Sequence, residues 1–189
     1  MATVKEIREA LKILAKRCDI KKNVTLLHCV TAYPTPYKDA NLLSISFLQK
    51  KFKLNVGLSD HSLGIEVPIS SIPLGVKIIE KHFTLSKKLP GPDHLASLEP
   101  KELKKMQESI RNIELAMGKK IKKPNKIELK TKKLVRQSIH AIKDIKKGEK
   151  FTISNIALMR PADGLKPKFL NKIIGTKSKK NYKFQDAIK

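Results

Sequence analysis

Apolar positions run through the first 118 residues in two alternating rhythms, one with the period of a helix and one of short unbroken runs. Ile7, Ala10, Leu11 and Leu14 share one face of a helix that Thr3 and Glu6 open as a capping box and that should reach about Arg17. After a polar turn, the apolar run 24–29 suits a buried parallel strand. Pro34 and Pro36 break it into a loop. A helix over 41–52 turns Leu42, Ile45, Leu48 and Phe52 inward, a strand follows at 55–58, and a helix at 66–74. Pro68 fits the first turn of that helix, whereas Pro73 should kink or shorten it. A third strand spans 76–83, a loop 90–98, and the strongest helix 100–117, striped by Leu103, Met106, Ile110, Ile113 and Met117 and stopped by Gly118.

Helix and strand alternating in this way predict parallel α/β units. Three strands are too few to close a barrel, and both edges of such a sheet would stand unpaired. The sheet is therefore expected to be completed by another chain or by more of a longer protein. Residues 119–133 read as a lysine-rich linker without an apolar period, which places the boundary of a first domain at 118. From 134 to 189 the texture changes to β-like pieces at 135–142 and 156–160, with Gly148, Gly164 and Gly175 as punctuation. So small a module, mostly β and turns, has a marginal core by itself.

Composition changes the picture in two respects. The chain of 189 residues carries a formal net charge of +24, which points toward polyanions. Yet of its 41 basic residues only Arg8, Arg17, Arg111, Arg136 and Arg160 are arginine, and there is no tryptophan. Readers of nucleic acid lean on the arginine fork and on stacked aromatics, so the lysines describe a solvated surface, compatible with a field that favours an anionic substrate. Cys18 and Cys29 form no disulfide or zinc pattern. With neither a membrane-length apolar run nor a signal peptide, a cytoplasmic protein is expected.

The candidate chemistry lies in G-L-S-D-H-S-L-G at 57–64, I-I-E-K-H-F-T at 78–84 and P-G-P-D at 90–93. His61 and His82 each follow a strand-like run. On neighbouring parallel strands, about 4.8 Å apart, both imidazoles leave the same rim and can share one metal ion. By donor type alone Mn, Co, Zn and Ni suit two imidazoles equally. Glu80, two residues before His82, points to the same face, where a carboxylate needs a partner: the metal site or a structural ion pair with a lysine. His28 ends the first strand and reads as structural; were it a third ligand, a metal-dependent hydrolase would be the alternative.

In order along the chain, L-L-H-C-V-T-A-Y-P-T-P at 26–36, S-D-H, E-K-H-F-T, P-G-P-D-H and S-L-E-P resemble the sialic acid synthase family. The tail, with I-K-D-I-K-K-G-E at 142–149 and M-R-P at 159–161, resembles that family's SAF (antifreeze-like, β-clip) domain. The resemblance implies the last three βα units of a (β/α)8 TIM barrel, incomplete here, followed by the SAF domain. It also implies a dimer in which each SAF domain caps the partner's barrel. The implied reaction condenses phosphoenolpyruvate with an N-acylated amino sugar to a nonulosonic acid. C3 of phosphoenolpyruvate attacks the open-chain aldehyde, water adds at C2, and phosphate leaves by C–O cleavage.

Met1-Ala-Thr resembles an internal G-M-A-T turn of that family, so activity from this chain alone is not expected. The resemblance assigns His61 and His82 to a divalent metal, manganese, and Ser59 to phosphate. It assigns Tyr33 and Asp93 to the amino sugar and Arg160 to the sugar site of the partner subunit. Thr31 stands where members often carry Asn or Ser, and keeps a hydroxyl for substrate. Glu80 falls beside the metal as the catalytic carboxylate, while Asp60 either orients an imidazole or caps a loop. From another class, the chain could be a non-catalytic remnant or a split-gene partner whose SAF domain only binds.

Overall fold

Thr3 opens the fold with both bonds of a capping box, its backbone N–H donating to the Glu6 carboxylate and its hydroxyl accepting from Glu6 N–H. A computed structural model describes residues 1–189 as two units, Met1–Lys119 and Lys120–Lys189. In the first, α1 (Val4–Leu14), α2 (Ile20–Asn23), β1 (Thr25–Cys29), α3 (Leu43–Phe52), β2 (Asn55–Asp60), α4 (Glu66–Ser71), β3 (Ile79–Lys81) and α5 (Pro100–Met117) follow in order. The fold is α/β, and β1, β2 and β3 form one parallel sheet in sequence order.

Several boundaries differ from those expected. The first helix stops at Leu14 rather than about Arg17, because only Leu11 of its apolar stripe is buried and no core contact holds another turn. The helix expected over 66–74 breaks at Ser71 into a 3-10 turn, Ile72–Leu74, since Pro73 has no N–H to give to an α-helical ladder. Strand β2 runs on to Asp60, whereas β3 is shorter than 76–83 and laddered only at Ile79–Lys81. Its sole strand partner ends at Asp60, and on its far side only the single bridge Phe83–Leu98 forms.

One face of the sheet packs on helices and the other is only partly covered. Leu26, Val56, Leu58 and Ile79 pack with Ile45 and Leu48 of α3 and Val67 of α4 into an apolar core in which Ile45 is wholly buried. The alternate residues, Leu27, Cys29, Gly57, Ser59, Ile78 and Glu80, belong to the opposite face, where Ile78 is 48% exposed and Glu80 is exposed. Gly57 is required by close approach: a Cβ there would meet the Ile78 carbonyl oxygen at 2.5 Å and Leu27 Cδ2 at 2.6 Å.

The second unit contains α6 (Lys126–Val135), an antiparallel pair of β4 (Ser138–Ala141) and β5 (Ile156–Met159), a 3-10 turn at Pro167–Phe169 and α7 (Leu170–Ile173). Helix α6 occupies what reads from sequence as unstructured linker. Asn125 accepts from Glu128 N–H and Glu128 returns a bond to Asn125 N–H, so the helix is nucleated by its cap while Ile127, Leu129 and Leu134 remain exposed. The helical piece at 167–173 was likewise not expected in a module of β and turns. Ile139, Ala141, Ile145, Phe151, Ile156, Tyr182 and Ile188 form this unit's own core.

Candidate functional site

Parallel pairing of Ser59 with Glu80 and of Asp60 with Lys81 brings the residues that follow, His61 and His82, to the same end of the sheet. Their ring centroids are 5.2 Å apart and the rings meet edge-on. His61 is buried, with Nδ1 3.1 Å from the Val30 carbonyl oxygen. A carbonyl only accepts, so Nδ1 carries the hydrogen and Nε2 keeps its lone pair, as a metal ligand requires. His82 is half-buried, and its Nδ1 lies 3.9 Å from an Asp93 carboxylate oxygen.

Tyr33, on the loop after β1, stands over both imidazoles, its ring 4.2 Å from that of His61 and 5.7 Å from that of His82. Thr31, on the same loop, is exposed. Ser59 Oγ donates to a Glu80 carboxylate oxygen at 2.6 Å. Glu80 thus faces the open side of the sheet paired with a hydroxyl, and it makes no ion pair with a lysine. A hydroxyl has one hydrogen to give, so a phosphate at Ser59 would displace this bond.

The expected alternatives for Asp60 and His28 resolve plainly. Asp60 makes no hydrogen bond to an imidazole; it accepts from Ser62 N–H and Oγ and pairs with the buried Lys81 ammonium at 2.6 Å. His28 pairs with Leu58 on the helix-covered face, with Nε2 2.9 Å from the Ala40 carbonyl oxygen. No group of three or more His, Cys, Asp or Glu side chains gathers to hold a metal. The three-histidine arrangement of a metal-dependent hydrolase is therefore overturned: His28 belongs to the other side of its strand.

The loop after His61 is braced by Tyr37, whose hydroxyl lies 3.1 Å from the Leu63 carbonyl oxygen and 3.3 Å from a Glu66 carboxylate oxygen and shares its one hydrogen between them. Desolvation first, and Glu66 beside it, push the Tyr37 phenol up. Glu66 is held below the usual carboxylate range by backbone N–H groups, its own and that of Ile65. Lys81 and Ser62 are the residues that sequence reasoning missed. The available signal was the repeated charge–histidine order in S-D-H and E-K-H: once the strands are in register, the two charges stand side by side.

In the second unit Arg160 is exposed directly after β5. The carbonyl of the next residue, Pro161, accepts from the buried Ser138 hydroxyl at 2.7 Å and lies 3.0 Å from the buried His140 Nε2. Asp163 Oδ1 is 3.3 Å from the same nitrogen. Ser138, His140 and Asp163 are not a nucleophile triad, in which the serine and the carboxylate engage opposite ring nitrogens. Here both lie at Nε2, while Nδ1 faces the Gln185 carbonyl oxygen at 2.9 Å. The cluster instead fixes the backbone that carries Arg160.

The NeuB family matches residues 1–122 and the SAF domain matches residues 136–183. The chain is 47% identical over 189 residues to an N,N'-diacetyllegionaminic acid synthase of Campylobacter jejuni, covering 100% of this chain and 57% of that protein. It is 40% identical over 180 residues to a pseudaminic acid synthase of Helicobacter pylori, covering 95% of this chain and 52% of that one. Among solved structures, an N-acetylneuraminic acid synthetase from Leptospira borgpetersenii superposes with a TM-score of 0.61 at 39% identity, over 69% of this chain and 45% of that one. The chain spans about half the length of the curated relatives it matches. No helix is long and apolar enough to cross a membrane. The chain belongs to the NeuB family and carries a SAF domain.

Proposed function

We propose that this chain is the carboxyl-terminal part of a nonulosonic acid synthase that condenses phosphoenolpyruvate with an N-acylated amino sugar. The observation that carries the reading is the His61–His82 pair, with Ser59–Glu80 beside it, at the rim of three parallel strands in a NeuB-family chain. His61 through Nε2 and His82 through a ring nitrogen are the residues that would hold a divalent cation, manganese by resemblance. When bound, such a cation polarises the aldehyde oxygen of the open-chain sugar as a Lewis acid. Two imidazoles without a third protein donor suit an ion whose other positions go to substrate and water, or to residues outside this chain.

The chain's own groups supply orientation and proton handling. Tyr33 walls the sugar against the imidazoles, Asp93 accepts from its hydroxyls, and Thr31 donates from the rim. Ser59 holds the phosphate end of phosphoenolpyruvate. A carbon–carbon bond then forms between its C3 and the aldehyde carbon, water adds at C2, and phosphate leaves with cleavage of the C–O bond. Glu80, already an acceptor at this face, is in place to take the proton of that water. Arg160 donates to the N-acyl carbonyl of the sugar across a dimer in which each SAF domain closes the partner's rim.

A second reading, a split-gene partner active only in complex, is favoured by the partly covered sheet face and its two open edges. Complementation tests both readings. The chain is mixed with the amino-terminal half of a relative, and phosphate release from phosphoenolpyruvate is followed with an N-acylated amino sugar present. Release by the mixture and not by either part is expected. A stable complex that releases no phosphate would overturn the assignment.

A further inference from the structure

A buried charged network that the proposed reaction does not use joins the strand ends that lead into His61 and His82. In the ladder, Asp60 pairs with Lys81, each directly before one of the two histidines. Both side chains are 3% exposed and face the helix layer, opposite Ser59 and Glu80. Lys81 Nζ donates to Asp60 Oδ2 at 2.6 Å and to the Ser62 carbonyl oxygen at 2.7 Å. Asp60 Oδ1 accepts from Ser62 N–H and Oδ2 from Ser62 Oγ, both at 3.0 Å. The carboxylate therefore folds around His61 and binds the residue after it, while the lysine ties that turn to the strand leading into His82. Elsewhere His61 is held toward β1 and the loop after it, through the Val30 carbonyl and Cys29 Sγ at Nδ1, the Tyr33 ring, and Thr35 N–H at its own carbonyl.

A buried ion pair of this kind is a weak source of stability, since apolar residues of similar volume often serve as well. What such a pair does supply is a fixed register with directional bonds. Lys81 has three donors, of which one goes to the turn's carboxylate and one to its main chain. No other side-chain bond joins the 60–62 turn to β3.

We propose that Asp60 and Lys81 are positioning residues which set the separation of the His61 and His82 imidazoles, and through it the affinity of the pair for one divalent cation. The second clause rests on the reading of the two histidines as a metal half-site. The first stands on geometry alone.

The test uses the 189-residue chain. The ring-to-ring nuclear Overhauser contact between His61 and His82 is measured without metal, and binding of the probe Cu(II)–nitrilotriacetate is measured separately. The informative variant is Asp60→Leu combined with Lys81→Met, which leaves no charge unpaired. It is expected to melt within a few degrees of the native chain, to lose the ring contact, and to bind the probe about tenfold more weakly, the usual scale for removing a ligand's supporting partner. Asp60→Asn combined with Lys81→Gln, which keeps an acceptor for Ser62 N–H and leaves no charge unpaired, gives a smaller loss and serves if the apolar double variant does not fold. A folded variant that keeps both the ring contact and the native affinity would overturn the proposal. If His61→Ala and His82→Ala bind the probe as tightly as the native chain, the half-site reading fails instead, while loss of the ring contact in the double variant would still support the positioning role.

Discussion

Residues 120–189 bury Ile139, Ala141, Ile145, Ile156 and Ile188 to 2% exposure or less, whereas the larger unit, residues 1–119, leaves one sheet face only partly covered, with Ile78 48% exposed. Chain length does not explain the difference, because the shorter piece has the more complete core. Topology does. The antiparallel pair β4–β5 folds back on itself and the chain end returns over it, with Ile188 N–H donating to the Ile139 carbonyl and His140 bridging Ala187. Three parallel strands cannot do this: each needs a neighbour from another βα unit, and the sheet must curve through more strands before its inner face is filled. The site lies on that side of the sheet: Ser59 and His61 are buried within the chain, while Glu80 is exposed and His82 half-buried.

The contrast can be broken by truncating a side chain on each side of it. Ile145→Ala should destabilise the second unit by about 2–5 kcal/mol through loss of burial and the cavity left behind. Ile78→Ala on the open face should stay within about 0.5 kcal/mol. Chemical denaturation followed by amide signals of each unit separates the two effects. Equal losses would mean that the inner face is covered in solution.

Glycines sharpen the comparison at an intermediate scale, because both units rely on one for close backbone approach. A Cβ at Gly57 would meet the Ile78 carbonyl oxygen at 2.5 Å, and one at Gly164 the Ile188 and Ile139 carbonyl oxygens at 2.7 and 2.9 Å. Each Gly→Ala change should lower stability by about 1–3 kcal/mol through forced backbone shifts. The Gly57 change should also weaken Cu(II)–nitrilotriacetate capture, as β3 moves away from β2, whereas the Gly164 change should leave it unaltered.

Much of this was legible beforehand, for physical reasons that particular residues illustrate. The βα alternation, the parallel order and the meeting of His61 with His82 follow from periodicity and from the rim rule, both of which are local. Helix α6 was not legible as an apolar stripe, because Asn125 and Glu128 start it and nothing buries it. The Asp60–Lys81 pair was hidden because the register between two strands is a tertiary fact; Asp60 alone reads as a partner of an imidazole or a loop cap, and Lys81 as one position of a strand. His28, which reads as structural from sequence, is turned toward Ala40 by strand parity.

The smallest expected effect concerns the helix that flanks the open sheet. The Glu102 carboxyl is held below its ordinary value of 4.5 by the Glu99 backbone N–H and then by the Lys87 ammonium. Because the folded value lies below the unfolded one, this stabilisation is complete above the ordinary range and is lost as pH falls through the folded value. With the group partly exposed and screened, Glu102→Gln should lower the stability of the first unit by about 0.5–1 kcal/mol at neutral pH. Once the pH is well below the folded value, the variant and the native chain should melt alike. A gap that persists into acid would show that the effect is not ionic.

The account rests on His61 and His82 holding one cation between them at an open rim. Its most direct measurement is anomalous diffraction at the manganese edge, from crystals of this chain in complex with a complementing half-barrel and grown with manganese. A single peak within bonding distance of His61 Nε2 and a ring nitrogen of His82 is predicted, lost in crystals of the His82→Ala complex. A peak bound elsewhere, or one that survives that substitution in place, would contradict it.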